Sequence, residues 1–78
     1  VTNGQEVPAD TTVLTPGKDT TIKEPASVDG VTVGKDGKLT GTPNVAFNGD
    51  EETKEITIPV TLTNGKDEVV ENVTVTVQ

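Results

Sequence analysis

The chain closes on EITIPVTLTNGKDEVVENVTVTVQ, residues 55–78. Apolar and polar residues alternate along it with a period of two, the pattern of a strand with one buried face. Ile56, Ile58, Val60 and Leu62 fall on one side; Thr57, Pro59, Thr61 and Thr63 fall on the other. Pro59 has no N–H to give a ladder, which places it at an edge or a bulge. Asn64-Gly65 opens a turn. A four-residue loop, Asn64 to Asp67, sets Ile58 opposite Val73 and Ile56 opposite Val75. The last strand, Val69 to Val77, then buries Val73, Val75 and Val77 and turns Thr74 and Thr76 outward. The same register puts Glu71 on the core side, which predicts a bulge near the sheet end. A sheet this small cannot cover its own apolar face, so a second sheet must pack on it. The fold class is all-β, a small β-sandwich.

Working outward, the middle of the chain supplies the second layer. Val31 to Val33 reads as a short strand. Lys35-Asp36-Gly37-Lys38 reads as a two-residue hairpin turn, with Leu39 as the core residue of the return strand. Gly41-Thr42-Pro43 stops that strand. Glu24 to Val28 is the one candidate for a short helical turn. Earlier still, Thr12–Leu14 and Thr20–Lys23 read as short strands, held at edges by Pro8 and Pro16. Thr15 to Asp19 is a turn in which Gly17 is free to take positive φ. Asn48 to Lys54 is a charged loop before the final hairpin.

Composition narrows the function classes. Seventy-eight residues make one domain, residues 1–78. Only 29% are hydrophobic and Phe47 is the only aromatic, so the core is thin and aliphatic, with Phe47 expected at its centre. There is no Cys, His, Met, Trp or Tyr, which removes thiolate and imidazole chemistry. The net charge of −7, from 13 acids and 6 lysines, repels phosphate backbones and anionic headgroups. Neither a nucleic acid nor a membrane is an expected partner. No apolar run approaches the ~20 residues of a membrane span.

Reactive candidates are few. Ser27 is the only serine and has no histidine to activate it. Enzymatic activity is not expected, and no catalytic, cofactor-binding or metal-binding residue is assigned. Asn48-Gly49-Asp50-Glu51-Glu52 gathers oxygen ligands of the kind calcium favours, without the spacing of a twelve-residue calcium loop; a solvated acidic loop is the plainer reading. Lys54 and Asn72 are the pair available for an intramolecular isopeptide bond, but the aromatic shell such bonds need is missing. Asn72-Val73-Thr74 has the form of a glycosylation acceptor and reads as ordinary strand.

Val1-Thr2-Asn3-Gly4 echoes Leu62-Thr63-Asn64-Gly65, and the closing VTVTVQ runs naturally into the opening VTNG. A tail that splices to a head is what one copy from a tandem array looks like. The stretches GVTVGKDGKLTGTPNV (30–45) and EITIPVTLTNGKDEVVENVTVTV (55–77) together resemble the Rib-type repeat, in its long form, of Gram-positive surface proteins. Gly37–Pro43, GKLTGTP, is also similar to a motif of bacterial immunoglobulin-like domains. Shorter Rib-type repeats carry a Tyr-Pro-Asp-Gly turn where this chain has Thr63-Asn64-Gly65-Lys66. The resemblance implies an immunoglobulin-like sandwich and an extracellular, wall-anchored location. It implies neighbouring copies of the same repeat as partners, and a spacer role that holds a distal adhesive domain, with any host-surface ligand, away from the cell. Such a spacer would be roughly 30–40 Å long, with the chain arriving at one end and leaving at the other. The competing expectation is a module that itself binds a host protein or glycan, through the loop Phe47 to Lys54.

Overall fold

The computed structural model describes all residues, Val1–Gln78. Six strands form: β1 (Thr21–Ile22), β2 (Ala26–Val28), β3 (Val31–Val33), β4 (Leu39–Gly41), β5 (Lys54–Thr63) and β6 (Glu68–Val77). They make two three-stranded antiparallel sheets, ordered β1-β5-β6 and β2-β3-β4. The fold is an all-β sandwich without a helix.

The final hairpin adopts the register read from its sequence. Ile58 pairs with Val73, Ile56 with Val75, and Thr63 with Glu68 around the loop Asn64 to Asp67. The ladder is unbroken from Lys54↔Val77 to Thr63↔Glu68, so the bulge expected near Glu71 does not form. Glu71 lies opposite the buried Val60 on the core-facing side, yet it is exposed. Val69, two residues nearer the loop, is 57% exposed, whereas Val73 is buried. The cover over β6 stops between Glu71 and Val73, so the carboxylate reaches water without a kink. Pro59 is equally well accommodated. The Lys23 N–H donates to the Thr61 carbonyl at 2.9 Å, so odd residues of β5 face β1. Pro59 points the same way, beyond the last pairing with β1, where no ladder partner is missing an N–H.

Twelve buried apolar residues form the core: Ile22, Ile56, Ile58, Val60, Leu62, Val73, Val75 and Val77 from one sheet, Val31, Val33 and Leu39 from the other, and Val7. No polar side chain is buried. Phe47 is half-buried and packs against the rim of this cluster instead of filling its centre. Aliphatic residues from two narrow sheets already close the interior and leave a ring no room there.

The shorter elements depart from the sequence reading in instructive ways. Glu24–Val28 holds no helical turn. Ala26, Ser27 and Val28 pair with Val33, Thr32 and Val31, and Asp29 and Gly30, with φ of 49° and 89°, make the two-residue turn between them. The Lys35–Lys38 turn has three loop residues where two were expected. Gly37 N–H reaches the Gly34 carbonyl at 2.9 Å, and Gly34 N–H reaches the Lys38 carbonyl at 3.0 Å. A two-residue turn of this kind needs positive φ at both positions. Only Gly37 supplies it (φ 78°), while the Asp36 side chain accepts from Lys38 N–H at 3.0 Å. The positive φ near Gly17 falls on Asp19 (φ 62°). Thr20–Lys23 shortens to Thr21–Ile22, and Thr12–Leu14 shrinks to one bridge, Thr12↔Lys38. Val13 and Leu14 both donate to the Gly37 carbonyl, at 2.9 and 3.2 Å, and two successive donors on one acceptor break the alternation a strand requires.

The ends of the chain meet. The Val1 amino group donates to the Thr76 carbonyl at 3.0 Å. Gln78 N–H donates to the Val1 carbonyl and Asn3 N–H to the Gln78 carbonyl, each at 2.8 Å. These three bonds are the rungs of a parallel ladder between Val1–Asn3 and the end of β6. The chain then turns and runs down the free edge of β4, where Val7 N–H donates to the Gly41 carbonyl at 2.8 Å. Arrival and departure therefore share one pole of the sandwich, against the expectation that they lie at opposite ends. VTVTVQ, which reads as running end to end into VTNG, here lies beside it within one domain.

Candidate functional surface

The residues singled out for chemistry are dispersed. Ser27 Oγ lies 2.6 Å from Thr32 Oγ1 across β2 and β3, a hydroxyl pair on an exposed face. Lys54 pairs with Val77 and Asn72 with Pro59, five positions apart along the hairpin. That is about 17 Å, too far for an amide to join them. Lys54 Nζ is instead occupied by the Ala46 carbonyl at 3.1 Å and the Glu51 carboxylate at 3.8 Å.

The acidic loop has an internal use. Glu51 Oε1 accepts from Asn48 N–H at 2.7 Å, while Glu51 N–H donates to the Asn48 carbonyl at 2.8 Å. This reciprocal pair closes Asn48 to Glu51 as a turn. No group of three or more Asp or Glu side chains converges there or elsewhere on the molecule. Asn72, the asparagine of the Asn-Val-Thr triplet, is exposed in β6.

The surface that stands out lies at the loop end of the β5–β6 hairpin. Sequence reasoning missed it, because Val69 and Val70 read there as ordinary strand residues. Val69 and Val70 are 57% and 63% exposed and face opposite sides of β6. Beside Val69 runs an open groove of about 250 Å³, floored by Leu62 and bordered by Gly17, Thr20, Thr63 and Asp67. It is below the roughly 300–1,000 Å³ typical of small-molecule sites. The loop beside it is tightly tied. Asn64 Oδ1 accepts from both Lys66 and Asp67 N–H at 2.9 Å, and Thr63 Oγ1 accepts from Gly65 N–H at 3.1 Å.

Two exposed ion pairs fasten the periphery. Lys23 Nζ meets Glu68 at 2.8 Å, clamping the end of β1 to the start of β6. Lys38 Nζ meets Asp10 at 2.9 Å, clamping the first segment to the β3–β4 hairpin. The hydrogen bond to each carboxylate, then its charge, raises each lysine above its ordinary 10.5. These are fastenings at the edges of the sheets, not acid–base groups facing a cavity. Comparisons with known protein families, curated proteins and solved structures found no match.

Proposed function

We propose that the domain is a structural spacer of the Rib type. It would be one unit in a wall-anchored surface protein of a Gram-positive bacterium, holding a distal adhesive domain away from the cell. The observation that carries the reading is shape. The molecule measures 46 × 22 × 15 Å. Ten-residue strands at about 3.4 Å each account for roughly 34 Å of such a length. A continuous two-stranded ladder with no bulge is the stiff element a spacer needs. The −7 charge supports the reading further, because adjacent acidic stalks repel and stay apart.

The shared pole of Val1 and Gln78 limits how such units are joined. A copy attached straight to Gln78 begins at the pole that the first copy has just left. In this proposal successive units are therefore linked by connecting residues that carry the chain back to the opposite pole. The test is made on cells. Removing one unit together with its connecting residues from the parent protein should lower a fluorescent label on the distal domain by about the 46 Å length of the unit. It should leave that domain's affinity for its ligand in solution unchanged. An unchanged height, or lost affinity, would refute the spacer role and favour a unit that binds directly.

A further inference from the structure

The three bonds that tie Val1–Asn3 to β6 also fix which backbone groups of β6 face outward. Thr76 and Gln78 point to the outer edge, so Glu68, Val70, Asn72 and Thr74 point there too. None of these four has a strand beyond it, since β6 is the last strand of its sheet. Proteins commonly blunt such edges with proline, lysine, bulges, short strands or an inward-facing charge. Of these β6 has only the last, in Glu71: it is ten residues long, unbroken in register and free of proline and lysine. The opposite side of the sheet, by contrast, carries Pro59.

We propose that the outer edge of β6 is an acceptor for one extended strand, the polypeptide that leads into Val1, running parallel to β6. Direction and register follow from the rungs already formed. Val1 lies beside Val77, so the residue two places before Val1 lies beside Val75, and the residue eight places before it lies beside Val69. The next unfilled donor is Thr76 N–H, immediately adjacent to the filled rungs. The nitrogen of Val1 already makes the bond that a peptide N–H would make at that point in a continuing strand. Residues two and four places before Val1 would share the covered, core-facing side with Val75 and Val73, which favours apolar side chains there. The residue seven places before Val1 lies beside the exposed Val70. Glu68 and Glu71 flank the edge, so the strand is uncharged or basic.

The same acids disfavour the other obvious occupant, a second copy of β6, because two chains of charge −7 would meet Glu68 to Glu71 along one edge. Nor does the β6 of a directly joined preceding copy fit. Its inner edge is bonded to its own β5, and its outer edge has the same hand as the acceptor, so two parallel strands with a common core face cannot share them. The inference stands on the hydrogen-bond pattern and does not depend on the spacer reading. If both hold, the docked strand moves the arriving chain to the hairpin-loop pole, opposite Gln78.

The test compares the domain with eight residues added before Val1, either Val-Thr-Val-Thr-Val-Thr-Val-Thr or a glycine–serine octamer. Amide hydrogen exchange at Val70, Asn72 and Thr74 is read by NMR, with molecular mass measured over a range of concentrations. The expected result is at least about tenfold slower exchange at these amides with the Val-Thr extension only, on a monomer. Asn72→Pro removes an outward N–H and no hydrogen bond to β5. It should restore fast exchange at Val70 and Thr74 in the extended chain while Val73 and Val75 stay protected. Equal exchange in the two extended chains would overturn the proposal. So would edge protection that appears without the extension and rises with concentration, which would identify a second copy as the occupant.

Discussion

Replacing Ile58 by alanine probes the centre of the sandwich. Ile58 is 0% exposed and pairs across the ladder with Val73. The change removes three carbons, at about 0.8 kcal/mol each, or roughly 2.4 kcal/mol of transfer free energy. The cavity left behind adds to this, within the 2–5 kcal/mol span of such truncations. Both layers are laddered backbone that collapses poorly, so we expect a loss of about 3–4 kcal/mol. A domain of 78 residues has about 4–12 kcal/mol in all. The variant should therefore sit near the limit of folding, with a midpoint lower by roughly 12–30 °C. Urea denaturation followed by far-ultraviolet circular dichroism is the assay, since the chain has no Trp or Tyr to report by fluorescence. The exposed Val70→Ala is the control and should stay within about 0.5 kcal/mol of the parent. A loss below about 1 kcal/mol for Ile58→Ala, at unchanged denaturant slope, would refute the picture of a single aliphatic core centred on β5.

Three further outcomes follow from particular contacts. Gly37→Ala places a methyl against the Leu14 carbonyl oxygen in a left-handed conformation (φ 78°), which alone costs about 1–2 kcal/mol; the thermal midpoint should fall and the Val13 and Leu14 amides should lose protection, and an unchanged exchange pattern would contradict the contact. Glu71→Val should leave stability within about 0.5 kcal/mol or raise it slightly, because Glu71 reaches water without a bulge; a loss above about 1 kcal/mol would mean that the carboxylate is engaged. The raised lysines contribute at the alkaline end: a group whose folded pKa lies above its unfolded value contributes fully below the unfolded value, and the contribution fades as pH rises through the folded one. The Lys23 and Lys38 ion pairs should therefore hold up to about pH 10.5 and fail above it, and a Lys23→Gln, Lys38→Gln double variant melting with the same alkaline step as the parent would show that the step lies elsewhere.

The parts of the fold that were legible in the sequence are those in which one local rule decided the outcome. The β5–β6 register followed from period-two alternation and one loop length, and each of Ile56, Ile58, Val60 and Leu62 is buried as its position required. Val31, Val33 and Leu39 followed likewise. The misreadings lie where tertiary pairing overrules a weak local signal. Pro25-Ala26-Ser27-Val28 has no strand pattern of its own and becomes β2 only because β3 offers it an edge. Thr12–Leu14 has strand composition and fails because two successive N–H groups converge on Gly37. Glu71 needs no bulge because alternation reports which side a residue faces, not whether anything covers that side. The meeting of the two ends shows in the sequence only as the ease with which VTVTVQ runs on into VTNG. A sequence pattern cannot say whether two compatible strands join end to end or lie abreast.

The claim on which the account turns is that length is what this domain supplies. Small-angle scattering from one, two and four fused copies of the domain, joined by linkers long enough to run from one pole to the other, measures it directly. The maximum dimension should start near 46 Å and rise almost linearly by about that length with each unit. A dimension that levels off between two and four units, with the radius of gyration growing as in a compact cluster, would contradict it.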